Sequence, residues 1–329
     1  MKKTAIILVN LGTPETPTKK GVSNFLKNFL SDSRVVEAPK LVWWFVLRCI
    51  IIPLRAKKVA SAYQKIWWDE GSPIRVISQR QVLALQKKID DEYKDISKEY
   101  SPKVEMAVTY GHPSLKETIK KLDGDGYEKF LVVPMYPQYS GSTTGAIYDQ
   151  LAELTKGIRN VPDVITVKEF YDHPIYISAL AKTVKDHWQQ HERSEKFLMS
   201  FHGIPQEYVD RGDPYHDQCD ATAKALAVEL GLGEGDWAMG FQSRFGPKKW
   251  LQPYIDDQLK NWVDSGISSV DIISPAFTAD CLETLEELDI GYRELFMEQG
   301  GKKYHYIPCL NDSTLFIESL FDLVKPHLK

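Results

Sequence analysis

The chain is poor in cysteine, has no long apolar run and carries no excess of either charge. Its four cysteines, Cys49, Cys219, Cys281 and Cys309, are scattered over 329 residues without a C-x-x-C pair. Neither a disulfide framework nor a structural zinc or iron–sulfur site is expected, and a reducing compartment suits that usage. The first ten residues are apolar only from Ala5 to Val9. That is too short for a signal-peptide core and reads as a buried strand. The other apolar stretch, residues 41–54, is interrupted by Arg48 and Pro53 and cannot span a bilayer. With 41 basic and 45 acidic side chains the net charge is -4, so nucleic acid is not an expected partner. There is no G-x-G-x-x-G behind a strand, no G-x-x-x-x-G-K-[ST] and no G-x-S-x-G. The leading signatures of dinucleotide, NTP and esterase chemistry are therefore missing.

What is present is a rhythm. Strand-like runs at 5–10, 104–110, 130–136, 164–170, 197–201, 237–241, 270–274 and 304–308 alternate with amphipathic stretches such as 77–93, 114–122, 174–188 and 217–230. This predicts an α/β fold with parallel sheets covered by helices. The length, and the crossover at 171–193, divide the strands into two sets of four. Several runs end in turns rich in Gly, Pro and Ser: Asn10-Leu-Gly-Thr-Pro14, Tyr136-Pro-Gln-Tyr-Ser140, Ser200-Phe-His-Gly-Ile-Pro205, Phe241-Gln-Ser-Arg-Phe-Gly246 and Ser274-Pro-Ala-Phe-Thr278. Ligands of open α/β sheets bind beyond such strand ends.

Past the seventh run, Asp280, Glu283, Glu286, Glu287 and Asp289 crowd into ten residues. A helix would set Asp280, Glu283 and Glu287 in one row, although like charges so placed repel. An acidic track that moves cations or protons is one explanation. Asp280 and Glu283 acting as a capping box with helix-dipole charge is the other. His202 ends an apolar run and precedes a glycine, so it should line a site. His187 and His191 have the i, i+4 spacing of a metal pair, but their polar neighbours predict a solvated helix face. His216 and Cys219 read as a polar loop. Gly141-Ser-Thr-Thr-Gly145 is a weak anion cradle. One imidazole with several carboxylates and no thiolate suits a divalent metal in transit. Tyr63, Trp67, Trp68, Tyr139 and Trp250 suit a flat apolar ligand.

These motifs, in order along nearly the whole chain, resemble the ferrochelatase family, whose members insert ferrous iron into protoporphyrin IX. The resemblance rests on Tyr136-Pro-Gln-Tyr-Ser140 through Gly145, Ser200 through Pro205, Phe241 through Gly246 with Trp250, and Asp280-Cys-Leu-Glu-Thr-Leu-Glu286. It implies two Rossmann-like domains with a porphyrin cleft between them. Their expected extents are 1–170, completed by a C-terminal helix at 311–329, and 171–310. His202 and Glu283 fall on the catalytic and metal positions, and Asp280 and Glu287 on the further acidic ones. Arg55, Tyr63, Ser72 and Tyr139 fall on porphyrin-contacting positions. Fe²⁺ is expected as a substrate, with no permanently bound cofactor. A [2Fe–2S] cluster is not expected, because Gly141 stands where some relatives carry a cysteine and no cysteine-rich extension follows.

The stretch 41–55 corresponds to an apolar lip. On its own it reads as a core helix, or as a segment lying on a membrane surface through Trp43, Trp44 and the cations Arg48, Arg55, Lys57 and Lys58. The expected partners are thus protoporphyrin, ferrous iron, a membrane surface and neighbouring haem-pathway proteins. The expected location is the cytoplasm, at the inner face of the membrane. The alternatives are a chelatase for another metal or tetrapyrrole such as cobalt, and a non-enzymatic two-domain binding protein.

Overall fold

The computed structural model describes residues 2–94 and 101–328, which fall into two units. The first takes in the chain as far as Tyr136, then Ser140–Glu169 and the stretch from Asp312 onward. The second consists of Pro137–Tyr139 and Phe170–Asn311.

In the first unit, β1 (Thr4–Asn10), β2 (Lys103–Val108), β3 (Lys129–Pro134) and β4 (Asp163–Thr166) form a parallel sheet in the order β2-β1-β3-β4. All seven residues of β1 are buried. A parallel strand covered on both faces must be apolar without alternation, which is why its sequence reads as a continuous run. On one face Ala5, Ile7 and Val9 pack with Leu115, Ile119 and Leu122 of helix Leu115–Gly124 and with Ile147 and Leu151 of helix Thr144–Thr155. Helix Leu115–Gly124 starts where Ser114 and Glu117 close a capping box, satisfying two otherwise orphaned N–H groups. Helix Pro73–Glu92 packs against helix Thr314–Val324, with Lys88 2.9 Å from Glu318 at their contact.

The second unit repeats the plan. Here β5 (Lys196–His202), β6 (Trp237–Gln242), β7 (Ser269–Ile273) and β8 (Lys303–Tyr306) are parallel in the order β6-β5-β7-β8. Leu198, Val270, Ile272, Tyr304 and Tyr306 pack with Ile255, Leu259, Leu288 and Phe296. Helix Pro174–Gln190 and helix Tyr215–Leu230 pack on each other. The latter corrects the loop reading of His216 and Cys219: both lie on this helix, with Cys219 buried and His216 stacked on Phe241.

In each sheet the chain moves from its first strand to one neighbour, then crosses to the other side. Strand connections therefore part at β1/β3 and at β5/β7, leaving a crevice at the carboxyl ends of those strands. Asn10, His202 and Ser274 lie at or just past such ends.

Candidate active site

His202 is the last residue of β5, half-buried, and paired in register with Gln242 of β6. The next residue, Gly203, donates its N–H to the Gln242 carbonyl at 2.9 Å. A Cβ at Gly203 would sit 2.8 Å from that carbonyl oxygen and 3.2 Å from the Trp250 ring. Glycine is thus required for the turn to close behind the histidine. The His202 ring meets Phe277 edge-on at 6.2 Å between centroids. Its Nδ1 is buried and has no hydrogen-bond partner. A buried nitrogen left unmatched costs stability, so its retention points to a ligand.

The acidic segment departs from the expected row. It forms a π-helix, Glu283–Tyr292, and Asp280 lies before it. Hydrogen bonding from i to i+5 widens each turn, so that Glu287, four residues on, lies close above Glu283. Asp280 is not on that face. It is buried and accepts from Tyr306 Oη (2.6 Å), Asn311 Nδ2 (2.8 Å), Thr284 Oγ1 (3.2 Å) and the Cys309 N–H (3.2 Å). With its acceptor capacity taken up by four donors, Asp280 fixes the approach to the helix.

Glu287 is held by β6. The Ser243 N–H donates to its Oε1 at 2.9 Å, Gln242 Nε2 donates to Oε2 at 3.0 Å, and the Ser243 hydroxyl makes a further short bond to Oε2. Ser243 reaches it from the left-handed region, φ 65°, which is unusual for a residue other than glycine. Gln242 also donates to the Glu283 carbonyl at 2.9 Å, and its Oε1 accepts from Ser200 Oγ at 2.6 Å. Burial raises the Glu287 carboxyl above its ordinary value. The Ser243 hydroxyl, the His202 charge and Gln242 pull it down, while Glu283 pushes it up. Burial, and then the Glu283 charge, keep the Cys281 thiol protonated.

Gln242 and Ser243 were not singled out from sequence. Their motif was, but their role depends on a positive φ that no residue type announces. Arg244, which the sequence places at a strand end, is spent on Asp256 and stacks over Tyr254, 4.3 Å from the ring centre.

In the first unit, Ser72 is buried at the start of helix Pro73–Glu92 and accepts from Thr13 Oγ1 at 2.8 Å, which sets it beside the loop after β1. Arg55 and Tyr63 share helix Ile52–Ile66. Tyr63 is buried edge-on to Trp67, 5.9 Å between centroids. Arg55 is half-buried, and burial lowers its pKa; a guanidinium keeps its charge even so. Tyr139 is half-buried in the second unit, its N–H donating to Gln218 Oε1 at 2.7 Å.

Apart from Leu47, which is buried, the apolar stretch lies outside the core. It forms helix Lys40–Val46, a π-turn Leu47–Ile51 and the start of helix Ile52–Ile66, and it exposes Leu41, Val42, Trp44, Phe45, Ile50 and Leu54. Trp43 differs from its neighbour: it is half-buried and its indole N–H donates to the Leu30 carbonyl at 2.6 Å. Among the described residues no helix is long and apolar enough to cross a membrane.

The second unit thus brings a histidine with an unmatched nitrogen beside a carboxylate face on a π-helix; comparison with known proteins gives the family. The sequence model of the ferrochelatase family matches residues 3–328. The chain belongs to the ferrochelatase family. It is 47% identical over 320 residues to Ferrochelatase 1 of Shewanella oneidensis, covering 97% of this chain and 94% of that one. It is 46% identical over 327 residues to the ferrochelatase of Aliivibrio fischeri, covering 99% and 98%. Among solved structures it resembles the sirohydrochlorin chelatase SirB of Bacillus subtilis in complex with cobalt. That similarity has a TM-score of 0.55 at 11% identity and covers 98% of this chain and 94% of that one. CbiX, described as the terminal enzyme of sirohaem biosynthesis in denitrifying bacteria, gives 0.54 at 11%. At that identity the likeness establishes the two-domain α/β chelatase fold.

Proposed function

We propose that His202 and Glu283 are the reacting pair of this ferrochelatase, with Glu287 behind them. The enzyme inserts ferrous iron into protoporphyrin IX, and two pyrrole protons must leave as the metal enters. The unpartnered Nδ1 of His202 is the observation that carries the assignment. A neutral imidazole there accepts a pyrrole proton, and Glu283 is the carboxylate that meets the iron. Glu287, raised by burial and held by Gln242 and Ser243, is suited to hold a proton in passing. Arg55, Tyr63, Ser72 and Tyr139 are assigned to the macrocycle, the arginine answering its propionates. Binding that favours a puckered ring would expose the nitrogen lone pairs and lower the barrier.

No resident cofactor enters this reading. Cluster ligation needs several thiolates at one place; of the four cysteines, Cys49 is exposed in the first unit, while Cys219, Cys281 and Cys309 are buried in the second. The exposed apolar side chains of residues 41–54 support peripheral attachment to the inner face of the membrane, where a poorly soluble porphyrin collects. The neighbouring haem-pathway proteins would be met there.

The test is anaerobic insertion followed by loss of porphyrin fluorescence. His202→Ala should abolish turnover while leaving porphyrin binding and the circular dichroism spectrum intact. Glu283→Gln should slow turnover by about a hundredfold. Normal turnover in the His202 variant would overturn the assignment.

A further inference from the structure

Three imidazoles gather around one buried carboxylate elsewhere in the second unit. Asp271 of β7 is 1% exposed and level with Phe197 of β5. His202 lies five residues farther along β5, so the two places are roughly 16 Å apart along the strands. Asp271 Oδ2 accepts from Trp188 Nε1 at 2.7 Å and from the Ser194 N–H at 3.0 Å. Oδ1 accepts from Ser194 Oγ at 2.7 Å and lies 3.0 Å from Nδ1 of His305, on edge strand β8. The pair His187 and His191, at the end of helix Pro174–Gln190, completes the group. The His187 ring is 4.5 Å from His191 and 5.1 Å from His305, and His191 is 5.2 Å from His305.

A purely structural role explains Asp271, which gathers Ser194, Trp188 and His305. It does not explain His187, whose Nε2 is buried with no hydrogen-bond partner. Nor does it explain three rings in mutual contact, since protonation of any two would set like charges together. A cation accounts for both. Ligand atoms of His187, Asp271 and His305 all lie within 4.8 Å of one another. Rotation of the rings would close that spacing around an ion held at bonds of about 2 Å. The Asp271–His305 contact is where the ion would enter: in place of the shared proton, Asp271 Oδ1 and His305 Nδ1 would both turn to it, while Trp188 and Ser194 keep the other acceptor positions of Asp271 filled.

We propose that His187, His305 and Asp271, with His191 at the solvent side, form a second divalent-metal site, distinct from the one at His202. Nitrogen donors with a single carboxylate select a borderline ion such as Zn²⁺ or Co²⁺ over Mg²⁺ or Ca²⁺, which require oxygen shells. The site ties the end of helix Pro174–Gln190 to the four-residue edge strand β8, which otherwise has a sheet neighbour on one side only. Its role is to hold the second unit together rather than to feed the reaction. Of the pair expected on a solvated face, His191 is exposed as expected, whereas His187 is half-buried with its Nε2 covered.

Zn²⁺ binding should be measured by equilibrium dialysis on tag-free protein carrying His202→Ala and Glu283→Gln, so that metal at the reacting pair is not counted. One Zn²⁺ per chain should bind and raise Tm. Adding His187→Gln and His305→Gln should weaken binding by about tenfold or more and remove the rise in Tm. Should that variant fail to fold, Co²⁺ added to the protein with the cluster intact should shift and broaden the ring NMR signals of His187 and His305. Absence of binding, binding indifferent to both histidines, or ring signals untouched by Co²⁺ would each overturn the proposal.

Discussion

At the scale of single residues, the two glutamates of the π-helix face differ in what holds them. Glu287 has three donors from Gln242 and Ser243, and its carboxyl is raised by burial. A carboxyl raised in the folded state favours folding most when protonated. That contribution is complete below the unfolded value and is lost as pH climbs through the folded one. Ser243→Ala removes a donor to the charged form and so raises Glu287 further. The variant should lose about 1.5–3 kcal/mol at neutral pH and much less below the carboxylate range. Urea melts at the two pH values will show this, and an equal loss at both would mean that Ser243 acts only through the backbone. Glu286→Gln should change turnover little, because position i+3 falls off the Glu283–Glu287 face in a π-helix. A deep loss of activity there would contradict that geometry. In the sequence the strand end singled out His202, and the acid run marked the segment within which the family resemblance pointed to Glu283. The sequence hid the π register, since Leu282, Leu285 and Leu288 recur at spacings an α-helix would also use.

Among elements, the stretch containing helix Lys40–Val46 yields the sharpest prediction. Trp44 and Phe45 are 54% and 57% exposed, whereas Trp43 is anchored to Leu30. Adjacent tryptophans look equivalent in sequence, and only the fold of helix Lys19–Leu30 tells them apart. Trp44→Ser with Phe45→Ser should weaken binding to anionic vesicles and raise the apparent KM for porphyrin presented in lipid. Turnover of detergent-dispersed porphyrin should hold. Trp43→Ser should instead lower Tm, since it removes a half-buried ring and its hydrogen bond. Vesicle flotation and thermal melts separate the two outcomes, and a matching fall in Tm for both variants would return the stretch to the core.

For the whole molecule, the two parallel sheets were readable because doubly covered strands are runs of apolar residues, and all eight appear near their expected positions. Pairings between residues far apart in sequence were not readable. Asp271 and His305 meet across neighbouring strands, and nothing local to either marks the partner. The same holds for Leu320, wholly buried on helix Thr314–Val324, which belongs to the first unit. Leu320→Ala should cost about 2–5 kcal/mol. Hydrogen exchange should then quicken in helix Pro73–Glu92 and stay slow in helix Pro174–Gln190; uniform quickening would argue against separate units. This return of the chain to its starting unit also bears on synthesis. A ribosome delivers Phe170–Asn311 as nearly one piece, yet it withholds the helix that covers Pro73–Glu92 until the second unit has already emerged. At about 5–20 residues per second, the unit made first waits some ten to thirty seconds with the flank of helix Pro73–Glu92 bare. During that interval nascent chains would depend on a chaperone, and the second unit would be the first to reach its native state.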